Sequence, residues 1–216
     1  MYLPAHFQED RIEVLHQLIR NHPLGMLVTL TATGLEANHI PFMVDAAGPF
    51  GTLRGHVARA NPVWKDFSNQ VEAMVVFQGP DAYISPSLYA SKKEHGKVVP
   101  TWNYAVVHAY GAIKVVDDAE WMRPLLERLT DRHEAPRAAP WKVGDAPEDF
   151  LQTTMRAVVG IEIPISRLMG KWKVSQNRSK ADRDGVAAGL GESADENAQA
   201  MARMVAGRGG EKSGKV

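Results

Sequence analysis

Apolar residues at helical spacing first recur in "EDRIEVLHQLIRNHP". Ile12, Leu15, Leu18 and Ile19 fall on one face there, and Pro23 stands just past the end as a stop. The pattern predicts an amphipathic helix packed on a core. The period then changes, and "LGMLVTLTATGLEANHIPFMVDAAGPFGTLRGHV" carries three β-rich runs divided by turn formers at Thr33-Gly34 and Gly48-Pro49. An antiparallel meander is expected. "RANPVWKDF" predicts a short helix, with Asn61 as its cap and Pro62 at the first helical position, where a missing N–H leaves nothing unpaired. "VEAMVVFQGPDAYISP" reads as two strands broken at Gly79-Pro80. After a loop rich in lysine, serine and glycine, a long strand runs to about Val116.

"DDAEWMRPLLERLTDRHE" repeats Met122, Leu125, Leu126 and Leu129 at helical spacing; Asp117 or Asp118 can cap it, and Pro124 predicts a bend or a late start. A helix from about Pro147 to Arg156 precedes "VVGIEIPI", expected as the final strand. Beyond Arg178 large apolar residues thin out, so the tail is expected to add little core. Ser193 and Glu196 have capping-box spacing ahead of "NAQAMARMV", which predicts one more surface helix, and "GRGGEKSGKV" is expected to be disordered. Six or more strands with helices inserted irregularly point to an α+β antiparallel barrel with surrounding helices. A doubly wound parallel sheet would need a helix after nearly every strand.

Composition narrows the function. The 216 residues suffice for one sizeable core with an appendage, and 44% hydrophobic with 23% charged residues fits a folded chain. Lys and Arg balance Asp and Glu at 25 each, so no overall field draws the molecule to nucleic acid. Without cysteine, disulfides, thiolate nucleophiles and cysteine metal sites are excluded, and a reducing cytoplasm is expected. The start "MYLPAHFQEDRIEVL" lacks a secretory pattern, and no apolar run is long enough for a bilayer. There is no Walker lysine loop, dinucleotide fingerprint or GxSxG elbow. The eight histidines lack metal spacing, so no metal site is expected.

Four segments carry candidate chemistry. In "NHIPF", strand alternation puts Asn38 and Ile40 on one face, opposite His39. In "RGHVARANP", Arg54 and His56 face together, and Arg59 with Asn61 sits at a strand-to-helix corner where free N–H groups attract anions. A phosphate there would gain charge-assisted hydrogen bonds, although a solvated strand face with a helix cap reads equally from the same residues. "GKWKVSQNRSKADR" offers lysines, hydroxyl, amides and arginine, or else is a plain polar connection; only Trp172 interleaves an aromatic, which disfavours a nucleic-acid patch. "VPTWNY" opens a strand with polar and aromatic groups, Trp102 being either a ligand contact or core.

Together, "NHIPF", "GHVARANP", "AYISPSLY", "VPTWNY" and "KVSQNR" resemble the PaiB-type FMN-binding negative transcriptional regulators. These are flavin-binding split β-barrels, the class that also holds the pyridoxamine phosphate oxidases. The likeness runs in order from "MYLPAHF" to about Arg183, with "VPTWNY" and "SQNR" its most specific pieces. It implies an α+β, antiparallel six-stranded split β-barrel over residues 1–183 and a helical, partly disordered tail over 184–216. It also implies a cytoplasmic homodimer with FMN at the subunit interface. The implied FMN contacts are Asn38, His39, Ile40, Pro41, His56, Arg59 and Asn61, then Thr101, Trp102, Asn103, Ser175, Gln176 and Asn177. No catalytic residue is implied.

The chain departs from the family's "SPSWY" at Leu88, where an aromatic stacking surface is expected to be lost. A flavin-dependent oxidoreductase or flavin-sensing regulator is the expected function. The alternatives are a DNA-binding repressor, for which no helix-turn-helix is visible, and haem handling, which some split barrels perform.

Overall fold

The computed structural model describes residues 1–207; the expected disorder of the last residues, 208–216, lies outside them. The architecture is α+β, with six α-helices among the described residues and strands in two sheets. In chain order the strands are β1 (Gln8–Glu9), β2 (Leu24–Thr31), β3 (Gly34–Pro41), β4 (Met43–Asp45), β5 (Thr52–Ala58), β6 (Ala73–Ile84), β7 (Thr101–Gly111), β8 (Lys114–Val116), β9 (Val158–Pro164) and β10 (Arg167–Lys173). Six of them form an antiparallel sheet in the order β1-β10-β7-β6-β2-β3, as the alternation predicted. The other four form a second sheet, β4-β5-β9-β8. The described chain divides into two compact units: Met1–Leu15, Gln78–Val107 and the residues from Met169 onward make one, His16–Phe77 and His108–Leu168 the other.

In the second unit, β2 and β3 form a hairpin whose register runs from Leu24 opposite Pro41 to Thr31 opposite Gly34. Gly34 has a φ of 130°, which the tight turn requires and a side chain would oppose. The core of this unit holds Leu27, Leu53, Phe42 and Phe77, the two rings edge to face at 6.2 Å. Helix α1 (Ile12–Asn21) buries Leu15, Leu18 and Ile19 as its spacing predicted. It also buries His16, whose Nε2 lies 2.9 Å from the Phe50 carbonyl.

Four expectations are corrected here. β6 is one continuous strand rather than two. Proline disrupts a strand where its N–H is needed, but pairing of β6 with β2 ends at Val76, before Pro80 is reached. The long strand to Val116 is instead two, because the chain leaves one sheet for the other after Gly111. A Cβ on Gly111 would lie 2.3 Å from the Pro164 carbonyl oxygen, so the crossing needs glycine. Helix α3 (Ala119–Glu134) starts on time, with Asp118 accepting from the Glu120 N–H, and continues through Pro124 with Met122, Leu125 and Leu129 buried. Finally, "RANPVW" forms only a three-residue 3-10 turn, Pro62–Trp64, although Asn61 does cap it.

Helix α4 (Glu148–Arg156) and β9 appear where predicted, but β9 is not the last strand: β10 follows and buries Lys171 and Trp172. The tail adds core, contrary to expectation. Helix α5 (Lys180–Gly191) buries Val186 and Leu190, and α6 (Glu196–Gly207) buries Ala198, Met201, Ala202 and Val205. The start of α6 is held by Asp195, whose carboxylate accepts from the Asn197 N–H; Ser193 instead accepts from Asp195. No described helix is long and apolar enough to cross a membrane.

Candidate functional site

In the first unit, β7 and β10 are neighbours and bring "VPTWNY" to "KVSQNR". Asn103 is buried and its Nδ2 donates to Ser175 Oγ at 2.9 Å, joining two segments that are far apart in the chain. Ser175 has a φ of 64°, a left-handed conformation that costs a side-chain-bearing residue about 1 kcal/mol or more. The Arg178 N–H donates back to the Ser175 carbonyl, closing a turn that leads into α5. Gln176 is tied to its own strand: its Nε2 donates to the Trp172 carbonyl and its Oε1 accepts from the Val174 N–H. Asn177 is exposed. Trp102 is 55% exposed, which removes the core alternative, and it meets Tyr83 edge to face with centroids 6.0 Å apart.

Cations cluster around this turn. Lys173 Nζ donates to Thr101 Oγ1 at 2.5 Å and to the Trp102 carbonyl at 2.6 Å. Burial lowers its proton affinity, and the like charges of Lys171 and Arg178 lower it further. Lys171 is itself buried, with Nζ 3.0 Å from the Tyr2 carbonyl and 5.3 Å from the centroid of Tyr104. The Arg178 guanidinium lies 4.7 Å from the centroid of Tyr89, a buried ring whose hydroxyl has no hydrogen-bond partner. Among the described residues, none of these three cations forms an ion pair with a carboxylate, although the charge of Arg178 acts on the buried Asp182. Lys171, Lys173, Arg178 and Tyr89 were not selected from the sequence, though "KVSQNR" contained two of them. What marks them is the absence of an ion pair at the three cations and of a partner for the Tyr89 hydroxyl, which only the fold reveals.

The second unit assembles the other expected residues. Asn38 and Ile40 do share a face, with His39 exposed on the opposite one. Asn61 Nδ2 donates to Asn38 Oδ1 at 2.9 Å, and Asn38 in turn donates to Glu36. β3 ends over β5 at Gly55, where a Cβ would lie 2.9 Å from the Pro41 carbonyl oxygen and 3.1 Å from Ile40 Cγ2. Glycine therefore lets Ile40 and Pro41 approach the strand segment that carries His56. Burial depresses the His56 pKa and keeps the ring neutral near pH 7, and its buried Nδ1 has no partner.

Arg59 is held differently from expectation. Its guanidinium forms a two-pronged pair with Asp117, at 2.8 and 2.5 Å, and donates to the Arg156 and Val158 carbonyls. The pair raises the Arg59 pKa and lowers that of Asp117 through the hydrogen bonds, with the mutual charge adding to them. The turn beyond it offers no helical N–H array, because Asn61 itself takes the Val63 N–H.

Leu88, where the likeness breaks, belongs to the first unit. It packs on α5 at two glycines: a Cβ on Gly185 would lie 2.3 Å from the Leu88 carbonyl oxygen, and one on Gly189 would lie 2.4 Å from its Cδ2.

An α+β fold of a six-stranded antiparallel sheet with a second sheet is that of the split barrels. The chain belongs to the family described as "Putative FMN-binding domain", which matches residues 1–167. It is similar to the Bacillus subtilis protein named "Protease synthase and sporulation protein PAI 2", 30% identical over 95% of this chain and 96% of that one. An uncharacterised protein of Emericella nidulans is 36% identical, covering 97% and 98%. Both likenesses extend past the family match. Among solved structures, the FAD- and haem-binding protein of Mycobacterium smegmatis overlays with a TM-score of 0.57 at 19% identity, over 84% of this chain and 80% of that one. The flavocytochrome Anf3 of Azotobacter vinelandii overlays with a TM-score of 0.55 at 12% identity, over 79% and 72%. These two speak to the fold.

Proposed function

We propose that this chain binds FMN as a homodimer and serves as a flavin-dependent oxidoreductase or flavin-sensing regulator. The observation that carries the proposal is the cluster of Lys171, Lys173 and Arg178, none of them in an ion pair among the described residues, beside the exposed ring of Trp102. A phosphate supplies the missing negative charge, and an aromatic wall suits a flavin ring. The buried, unpartnered hydroxyl of Tyr89 fits a ligand that brings its own polar atoms. When bound, FMN supplies the electron and hydride chemistry. The chain's residues orient it: Asn103 and Ser175 hold the turn, and Thr101 and Gln176 steady its flanks.

The homodimer has a matching surface in the second unit. Leu24, Leu30 and Leu35 are exposed on the β2–β3 hairpin, Leu30 directly opposite Leu35, and Leu35 is 79% exposed. A contiguous apolar sheet face of this kind is covered by a partner more often than left in water.

The test is titration of the purified chain with FMN, following quenching of tryptophan fluorescence and the absorption spectrum. Lys173→Ala and Arg178→Ala are each expected to weaken binding about tenfold, the loss of one charge-assisted contact. Unchanged affinity in both alanine variants refutes the assignment. Bleaching of the bound flavin by NAD(P)H marks the oxidoreductase; its absence favours the sensor. A Soret band on the purified protein favours the haem alternative. Retardation of labelled DNA that weakens steeply with salt favours a repressor.

A further inference from the structure

We propose that the second unit carries another small-molecule site, for an organic cation with an apolar body, in a cavity of about 800 Å³ lined by α3 and α4. A volume of this size lies within the range of small-molecule pockets. Its apolar lining comes from Met122, Pro124, Met155 and Val158; methionine side chains adapt to ligands of varied shape.

The charges around it do not balance. Three arginines line the cavity, against five carboxylates. Asp117 is matched by Arg59. Arg123, however, serves two acids at once, Glu127 at 3.2 Å and Glu148 at 2.9 Å, so one negative charge at that wall is uncompensated. Asp118 spends its carboxylate on the helix cap, and Glu120 has no ion pair among the described residues. Arg156 offsets one of these charges, which leaves the lining at net minus two. An anion entering here would have to face that excess; an ammonium would complete it, with its hydrocarbon part against the methionines. Of the flavin contacts expected from the sequence, the site includes only Arg59, which Asp117 already holds, so it does not rest on the flavin reading.

The experiment uses the full chain with ¹³C-methyl-labelled methionine and three probes of similar size: benzylamine, benzoate and benzyl alcohol. Benzylamine is expected to shift the Met122 and Met155 methyl signals, assigned by Met→Leu substitution, while the other two leave them in place. Glu120→Gln and Glu127→Gln are each expected to weaken benzylamine by about two- to fourfold, the range for an exposed charge contact. Prebound FMN should leave the benzylamine shifts intact. No shift, equal shifts with benzoate or benzyl alcohol, or loss of the shifts with FMN bound overturns the proposal. A chain that answers benzylamine yet ignores FMN retains this site and refutes the flavin reading alone.

Discussion

Replacing either glycine beneath Leu88 tests how rigidly the Pro86–Leu88 turn is fixed against α5. Glycine inside a helix is about 1 kcal/mol less favourable than alanine, so Gly→Ala begins with a gain of that size. At Gly185 the new methyl would sit 2.3 Å from the Leu88 carbonyl oxygen, a backbone atom that moves only if the turn or the helix moves. Overpacking of this kind costs about 1–3 kcal/mol, occasionally more, and a clash with backbone falls at the upper end, so Gly185→Ala is expected to lose up to about 2 kcal/mol net. At Gly189 the clash, 2.4 Å, is with Cδ2, the tip of a rotatable side chain. A rotamer change costs about 0.5–1.5 kcal/mol, so Gly189→Ala is expected to stay within about 0.5 kcal/mol of the parent. Combining it with Leu88→Ala removes the obstacle and should show favourable coupling between the two positions. Urea unfolding followed by circular dichroism measures all of these, provided the slope against denaturant is unchanged. Equal stability of the two glycine variants, or a larger loss at Gly189, would refute the packing described here.

The strained turn and the buried acid make two further predictions. Ser175→Ala and Ser175→Gly both remove the hydroxyl that accepts from Asn103, costing about 1–3 kcal/mol, but only glycine relieves the positive φ. The glycine variant is therefore expected to be about 1 kcal/mol the more stable in urea, and equal stabilities would show that the backbone is not strained. Asp182 is buried, which pushes its pKa up. The hydrogen bonds from the Ser91 N–H and hydroxyl, both 2.9 Å, outweigh that effect, with Ser179 and Arg178 helping, and leave the carboxyl below its usual value. A depressed folded-state pKa gives stability that is complete above the unfolded value of about 3.9 and is lost as pH falls through the folded one. Asp182→Asn should flatten this acid limb of the urea midpoint against pH; an unaltered limb sinks the assignment.

Local periodicity made α1, the β2–β3 hairpin and α4 legible, because the signal for each lies within its own dozen residues. What was not legible depended on distant partners. Pro80 reads as a strand breaker until the pairing with β2 is seen to end at Val76. β10 reads as polar linker because its Lys171 buries a long aliphatic stem while its charged end meets a carbonyl and two rings. α6 reads as a surface helix because two of its four buried residues are alanines, whose burial depends on the surrounding fold. The candidate site divides in the same way. Motif likeness picked out Asn103, Ser175 and Asn61, but not that Asn103 bonds Ser175, that Asn61 bonds Asn38, or that Asp117 occupies Arg59.

The cations of β10 and the turn after it are hard to explain by folding alone. A lysine stem packs as well when its head reaches water, yet Lys171 is buried, Lys173 is partly buried, and Arg178 lies close enough to add to their repulsion. Like charges held together without an ion pair oppose the compact state, and elsewhere this chain pairs its arginines readily: Arg54, Arg59, Arg123 and Arg128 each have a carboxylate. The turn that carries these cations without an ion pair also holds a serine in a left-handed conformation and an exposed tryptophan one strand away. Each feature alone lowers stability or leaves apolar surface in water. A single bound molecule carrying a phosphate and a flat ring offsets the charge and the exposure together, which is why the negative group is sought here before Arg59, whose charge the chain already satisfies with Asp117.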